Sequence, residues 1–202
     1  MLYSQEFNDE IKSLKTYDFN KEQKNKISSF SDIEAYYLKF QKNLILKGRV
    51  DSTSITELSL KSNKTYRDET LKFIMQGDYY LFKDKPKDSL AYHSYVASVN
   101  SALITNDTIL ITESCKKIFK QLFKSRHSLD GYPIYLTIFK NYLYDKNEEA
   151  TYLFHYYNYL GSEKRIEKIE GLKDALKLLE NTNNSFLKSK TNQMIGVQFD
   201  FF

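Results

Sequence analysis

Apolar side chains recur along this chain at spacings of three and four residues, interrupted by short polar corners, and that rhythm predicts helix throughout. Ile33, Tyr36, Tyr37, Phe40 and Leu44 line one face of a segment that Ser31 and Glu34 open as a capping box and Gly48 closes, which predicts a helix over 32–47. Ser54 with Glu57 repeats the capping logic, and its segment runs through Leu58, Leu71, Ile74 and Met75 to Gly77, with a break near Ser62-Asn63. Tyr79 to Phe82 reads as a short aromatic run ended by Pro86. From Asp88, the residues Leu90, Tyr92, Tyr95, Val96, Val99, Leu103 and Ile104 predict a wide apolar face that stops at Asn106. A further helix carries Ile109, Leu110, Ile118, Phe119, Leu122 and Phe123 and ends around Ser125 to Ser128.

Beyond it, Asp130-Gly131-Tyr132-Pro133 supplies a turn and an N-terminal proline for a helix lined by Ile134, Leu136, Phe139, Tyr142 and Leu143. Asp145 with Glu148 opens its mate, which uses Tyr152, Leu153, Tyr156, Tyr157 and Leu160 up to Gly161. A third pair covers 163–180, where Gly171 weakens continuity, and 185–194. The corners Leu103–Asp107 and Leu143–Asn147 return at an interval of about 40 residues, the spacing of stacked helical hairpins. The expected fold is therefore all-α, with antiparallel helical hairpins packed as a short α-solenoid or irregular helical bundle. Residues 1–30 form a less regular N-terminal segment with one amphipathic stripe (Tyr3, Phe7, Ile11, Leu14), and 197–202 an extended aromatic tail docked on the last helices.

Length and punctuation favour one domain over 1–202. A chain of 202 residues can bury roughly 70% of its unfolded surface without staples, and its 6 Gly and 2 Pro leave no stretch that reads as a linker. The opening Met1 to Phe7 has neither a basic nor a long apolar run, so no export signal or membrane span is expected, and a cytoplasmic protein is. The net charge of +4 rests mostly on lysine; arginine stands only at Arg49, Arg67, Arg126 and Arg165, which disfavours a dedicated nucleic-acid reader.

Candidate chemistry is sparse. His93, His127 and His155 lie on different elements, and none has a second ligand at metal-binding spacing, so no metal and no cofactor is expected. His127 with Asp130, or His155 among its tyrosines, would have to carry a small nuclease if the chain were an enzyme. Glu148-Glu149 suits the first turn of a helix, and Glu167 with Glu170 alternates with Lys164, Arg165 and Lys168 as a solvated face does. Cys115 is expected to be a half-buried thiol rather than a nucleophile. One surface feature remains: Lys116, Lys120 and Lys124 at successive i, i+4 positions, flanked by Lys117 and Arg126, form a basic edge suited to docking an acidic protein.

From about Leu71 onward the layout resembles the bacterial polymorphic-toxin immunity protein family forty-nine. The matched elements are Ser101-Ala102-Leu103-Ile104-Thr105-Asn106-Asp107, the helical pair after it, and the close Met194-Ile195-Gly196-Val197 with its aromatic tail. The abundant Tyr and Lys depart from that family's Ala, Leu and Arg bias, and the first 70 residues have no counterpart in it. The resemblance implies an all-helical antidote that binds one cognate toxin and catalyses nothing. A stoichiometric protein-binding module is thus the expected function, with a helical-repeat adaptor for a peptide or protein as the alternative and a small nuclease third.

Overall fold

A computed structural model describes residues 7, 9–11, 30–50, 52–62, 64–124, 132–143, 165–179 and 191–193. Among these the regular structure is helix, with no strand, and the fold is an all-α helical bundle. The helices are α1 (Asp32–Lys47), α2 (Ser52–Ser59), α3 (Tyr66–Phe82), α4 (Asp88–Thr105), α5 (Thr108–Lys124), α6 (Tyr132–Ile138), which continues as a π-helical turn Phe139–Leu143, and α7 (Arg165–Leu179). Contacts cluster into two compact units, Met1–Gln121 and Leu122–Phe202.

In the first unit, local chemistry explains most boundaries. Ser31 Oγ accepts from the Glu34 amide at 3.1 Å while the Ser31 amide donates to Glu34 Oε2 at 3.0 Å, and Gly48 ends α1 in the left-handed region at φ 65°. Thr65 caps α3 by accepting from the Asp68 amide at 3.1 Å. Asn106 closes α4 at φ 53°, and Asp107 Oδ1 then accepts from the Ile109 and Leu110 amides to start α5. The chain falls between α2 and α3 close to the expected break, but Ser54 sits inside α2 rather than capping it.

Gly77 does not end a helix. The helix α3 runs through it to Phe82, and a Cβ at Gly77 would lie 2.3–2.8 Å from three ring atoms of Tyr95. The glycine is there because α4 approaches α3 closely, which a sequence reading of glycine as punctuation misses. The same close approach corrects the face of α4: Ala91, Tyr95, Ser98, Val99, Ser101 and Ala102 are buried, whereas Leu90 and Ile104 are 41% and 58% exposed. Small residues let two backbones meet where larger ones would hold them apart.

Cross-links between helices give their directions. Glu69 pairs with Ser101 and Asp78 with Tyr95, so α3 and α4 are antiparallel. Ser31 pairs with Asp68 and Gln41 with Asp78, both 37 residues apart, so α1 and α3 are parallel. Arg67 pairs with Asp107 and Lys117 with Asp78, 40 and 39 residues apart, so α5 is parallel to α3 as well. Three parallel helices, α1, α3 and α5, with α4 antiparallel to α3, make up this part of the bundle. Leu71, Ile74 and Met75 of the central helix α3 are 0% exposed. Phe7 and Ile11, the described part of the N-terminal stripe, are buried too, with Phe7 edge-on to Phe30 at 5.6 Å.

In the second unit, Pro133 occupies the first turn of α6, where its missing N–H costs nothing, and Leu143 is buried while Ile134 and Tyr142 are exposed. The helix α7 passes without interruption through Gly171, and Leu172 and Thr191 are buried. The corner at 144–147, the helix expected from Asp145 to Gly161, and the tail 197–202 lie outside the described residues.

Gly77→Ala is expected to lower unfolding stability by about 1–3 kcal/mol, because the Tyr95 ring is held by its hydroxyl and cannot swing aside. A urea titration followed by circular dichroism checks this; an unchanged midpoint would mean that the two backbones are not in close contact.

Candidate functional site

Two clusters of ionisable groups lie along α3 in the described interior of the first unit. In the first, Arg67 Nε donates to Glu34 Oε1 at 2.6 Å and its Nη1 to Asp107 Oδ2, while the guanidinium stacks over the Phe7 ring with 4.8 Å to the centroid. Both carboxylates are helix-capping groups, Glu34 for α1 and Asp107 for α5, so one arginine on α3 fixes the N-terminal ends of both neighbours. Ser31 Oγ adds a bond to Asp68 Oδ1 at 2.8 Å.

About three turns further along α3 lies Asp78, whose side chain is 0% exposed. Its Oδ1 accepts from Tyr95 Oη on α4 and Lys117 Nζ on α5, and its Oδ2 from Gln41 Nε2 on α1 and again from Lys117 Nζ, each at 2.7 Å. A buried carboxylate survives only when its charge is paired and its lone pairs are filled, and here both conditions are met. Burial first, then the Glu113 and Asp78 carboxylates, pushes the Tyr37 phenol well above its usual range. Tyr95 is likewise raised, by burial foremost and then by the charge of Asp78 and its hydrogen bond. These phenols stay protonated, and Asp78 has no lone pair left to aim at a substrate.

The residues singled out in the sequence fall as follows. Lys117 faces inward: it is the counter-ion of Asp78, so its charge is neutralised in the interior. Lys116 reaches Glu113 on its own helix at 3.4 Å, with its side chain 21% exposed. The side chains of Lys120 and Lys124, and Arg126, lie outside the described residues, as do His127, Asp130, His155, Glu148, Glu149 and Glu167. His93 is exposed on α4. Cys115 is 0% exposed rather than half-buried, and burial raises its thiol far above the reactive range. Among the described residues no group of three or more His, Cys, Asp or Glu could hold a metal ion, and no helix is long and apolar enough to cross a membrane.

A different surface stands out. Between α1 and α2 lies a groove of about 110 Å³, floored by Phe40, Leu44 and Val50 and edged by Lys39, Lys47 and Arg49, with Glu57 on the opposite wall. The i, i+4 spacing that marks the basic edge of α5 recurs here as Lys39, Asn43 and Lys47, and that signal could have found the groove from sequence. No family model, no curated protein and no solved structure matches this chain.

Two outcomes follow from the Asp78 centre. Lys117→Met should cost about 3–5 kcal/mol, since it strands a buried charge, and adding Asp78→Asn should recover part of that because the amide carbonyl still accepts from Tyr95. Chemical denaturation of the four members of this cycle reads the coupling; strictly additive losses would contradict it. Raised phenols bind protons in the folded state that the unfolded state releases, so their stabilisation is whole below pH of about 10 and is lost as pH rises beyond it. Tyr37→Phe should make that alkaline decline shallower by about 1.4 kcal/mol per pH unit, measured as denaturation midpoints against pH; an unaltered slope would show that the Tyr37 phenol ionises freely.

Proposed function

We propose that this chain is a stoichiometric protein-binding module without a reaction of its own, and most specifically an immunity protein that binds and neutralises a cognate bacterial toxin in the cytoplasm. The observation that carries the reading is how the polar side chains are used. The described interior charges bond to the protein's own groups: Asp78 with Lys117, Arg67 with Glu34 and Asp107, Glu113 with Lys116, and Asp68 with the Ser31 and Thr65 hydroxyls. Large apolar side chains stand outside, Leu60 at 82%, Leu46 at 63% and Ile104 at 58% exposure. Enzymes invert this pattern, with strained or unsatisfied polar groups in a cleft. Exposed aromatics such as Tyr66 at 55% and Tyr142 at 40%, on a chain rich in Tyr and Lys, suit a partner surface, where a few desolvated aromatic anchors supply most of the affinity.

A helical-repeat adaptor for a peptide or protein is the second reading, favoured by the parallel stack of α1, α3 and α5. It shares the module's mechanism and differs in the number of partners. Affinity capture on the tagged full chain from its native lysate, read by mass spectrometry, separates them. One partner at equal stoichiometry, whose toxicity the chain suppresses when both are expressed, is the expected result. Several substoichiometric partners would favour the adaptor, and no partner at all would overturn both. Within the first reading, Lys116→Glu, Lys120→Glu and Lys124→Glu together should slow association without unfolding the protein, as stopped-flow mixing and circular dichroism would measure; an unchanged rate would remove that edge from the interface.

A further inference from the structure

We propose that the groove between α1 and α2 receives a short acidic peptide segment of a protein partner, with Lys39, Lys47 and Arg49 contacting its carboxylates and the apolar floor taking one side chain between them. The inference rests on the protein-binding reading and specifies its chemistry. Several cations elsewhere in the first unit have partners: Arg67, Lys116 and Lys117 are ion-paired, Lys72 donates to the Lys61 carbonyl oxygen, and Lys83 lies over the Tyr79 and Tyr80 rings; what sets Lys39, Lys47 and Arg49 apart is that they line one groove together. Among the described residues, no carboxylate stands within ion-pair distance of Lys39, Lys47 or Arg49, although all three line the same groove.

The placement of Lys47 and Arg49 partly answers the negative end of the α1 dipole. Lys39 has no such explanation. It sits in the middle of α1, exposed, with uncharged Ala35 and Asn43 one turn to either side. Lys61 Nζ lies 5.2 Å from the centroid of the Tyr36 ring, another groove residue, and adds to the positive potential there. Three cations with no counter-ion among the described residues, set around Phe40, Leu44 and Val50, are complementary to an anion that also carries an apolar side chain. The space of about 110 Å³ is below the roughly 300 Å³ at which sites for drug-sized molecules begin. An acidic peptide fits better than nucleic acid. The groove's aromatic rings, Tyr36 and Phe40, are buried in the floor and offer no face for base stacking. Glu57 on the α2 wall would repel a continuous phosphate backbone, whereas a peptide can place its carboxylates on the α1 side alone.

Fluorescence anisotropy of a short fluorescein-labelled peptide, glutamates flanking a central leucine, titrated with the full chain tests this directly. Saturable binding is expected, weakening as salt is raised and weakening roughly tenfold in the combined Lys39→Glu, Lys47→Glu and Arg49→Glu variant. All three side chains are exposed, so folding should persist; circular dichroism checks it, and the single Arg49→Glu change, expected to weaken binding in the same direction, gives a second reading if the combined variant fails to fold. Replacing the exposed Lys85 by Glu should leave peptide affinity unchanged. Absence of saturable binding, equal binding by the Arg49→Glu and combined variants, or stronger binding of an oligothymidylate of matching length would each overturn the proposal. A cognate partner captured at full strength by the groove variant would overturn the groove while leaving the protein-binding reading in place.

Discussion

The first unit is organised around one carboxylate. Asp78 sits on the central helix α3 with no exposure, and donors converge on it from α1, α4 and α5. The desolvation of a lone carboxylate there would cost several kcal/mol, so the fold is consistent only when Gln41, Tyr95 and Lys117 arrive together. Apolar packing of Leu71, Ile74 and Met75 supplies the bulk attraction but does little to discriminate between helix registers. Hydrogen bonds to a buried charge discriminate strongly, because a shift of one residue would leave Asp78 unpaired. That is a registry role, attested for buried polar groups in other helical assemblies.

Arg67 repeats the device at the ends of the same helices. Its two carboxylate partners already neutralise the positive ends of the α1 and α5 dipoles, so the guanidinium links two capping groups rather than two stray side chains. Both clusters are held by the protein's own groups, and Arg67 Nη2 is left buried without a hydrogen-bond partner among the described residues. On the outside, Lys39, Lys47 and Arg49 line the α1–α2 groove, and Leu46 and Leu60 are exposed.

What could be read from the sequence was local. The capping box at Ser31 and Glu34, the glycine cap at Gly48 and the Asn106-Asp107 corner each involve residues within four positions, so the ends of α1, α4 and the start of α5 were legible. Side-chain pairs among α1, α3 and α5 fall 37–40 residues apart, whereas the corner expected over 143–147 lies, past Leu143, outside the described residues. Illegible were features whose cause lies far away in sequence. Gly77 looked like a stop because Tyr95 was not yet beside it, and Lys117 looked like part of a basic edge because nothing local announces Asp78 as its partner. The face of α4 was misjudged for the same reason: hydropathy favours Leu90 and Ile104, but the proximity of α3 selects Ala91, Ser98 and Ala102. In the candidate site, the basic edge on α5 and the groove on α1 share one spacing, and only burial and pairing separate a committed lysine from an available one.

Native-state hydrogen exchange on the full chain tests most directly whether Asp78 ties four helices into one cooperative body. Amides around Tyr37 to Gln41, Ile74 to Asp78, Ala91 to Tyr95 and Ser114 to Ile118 should open with a common free energy and a common denaturant dependence. Exchange of the α1 or α5 amides through a separate, much lower-energy opening would contradict the account, since a helix that leaves freely cannot be holding a buried charge in place.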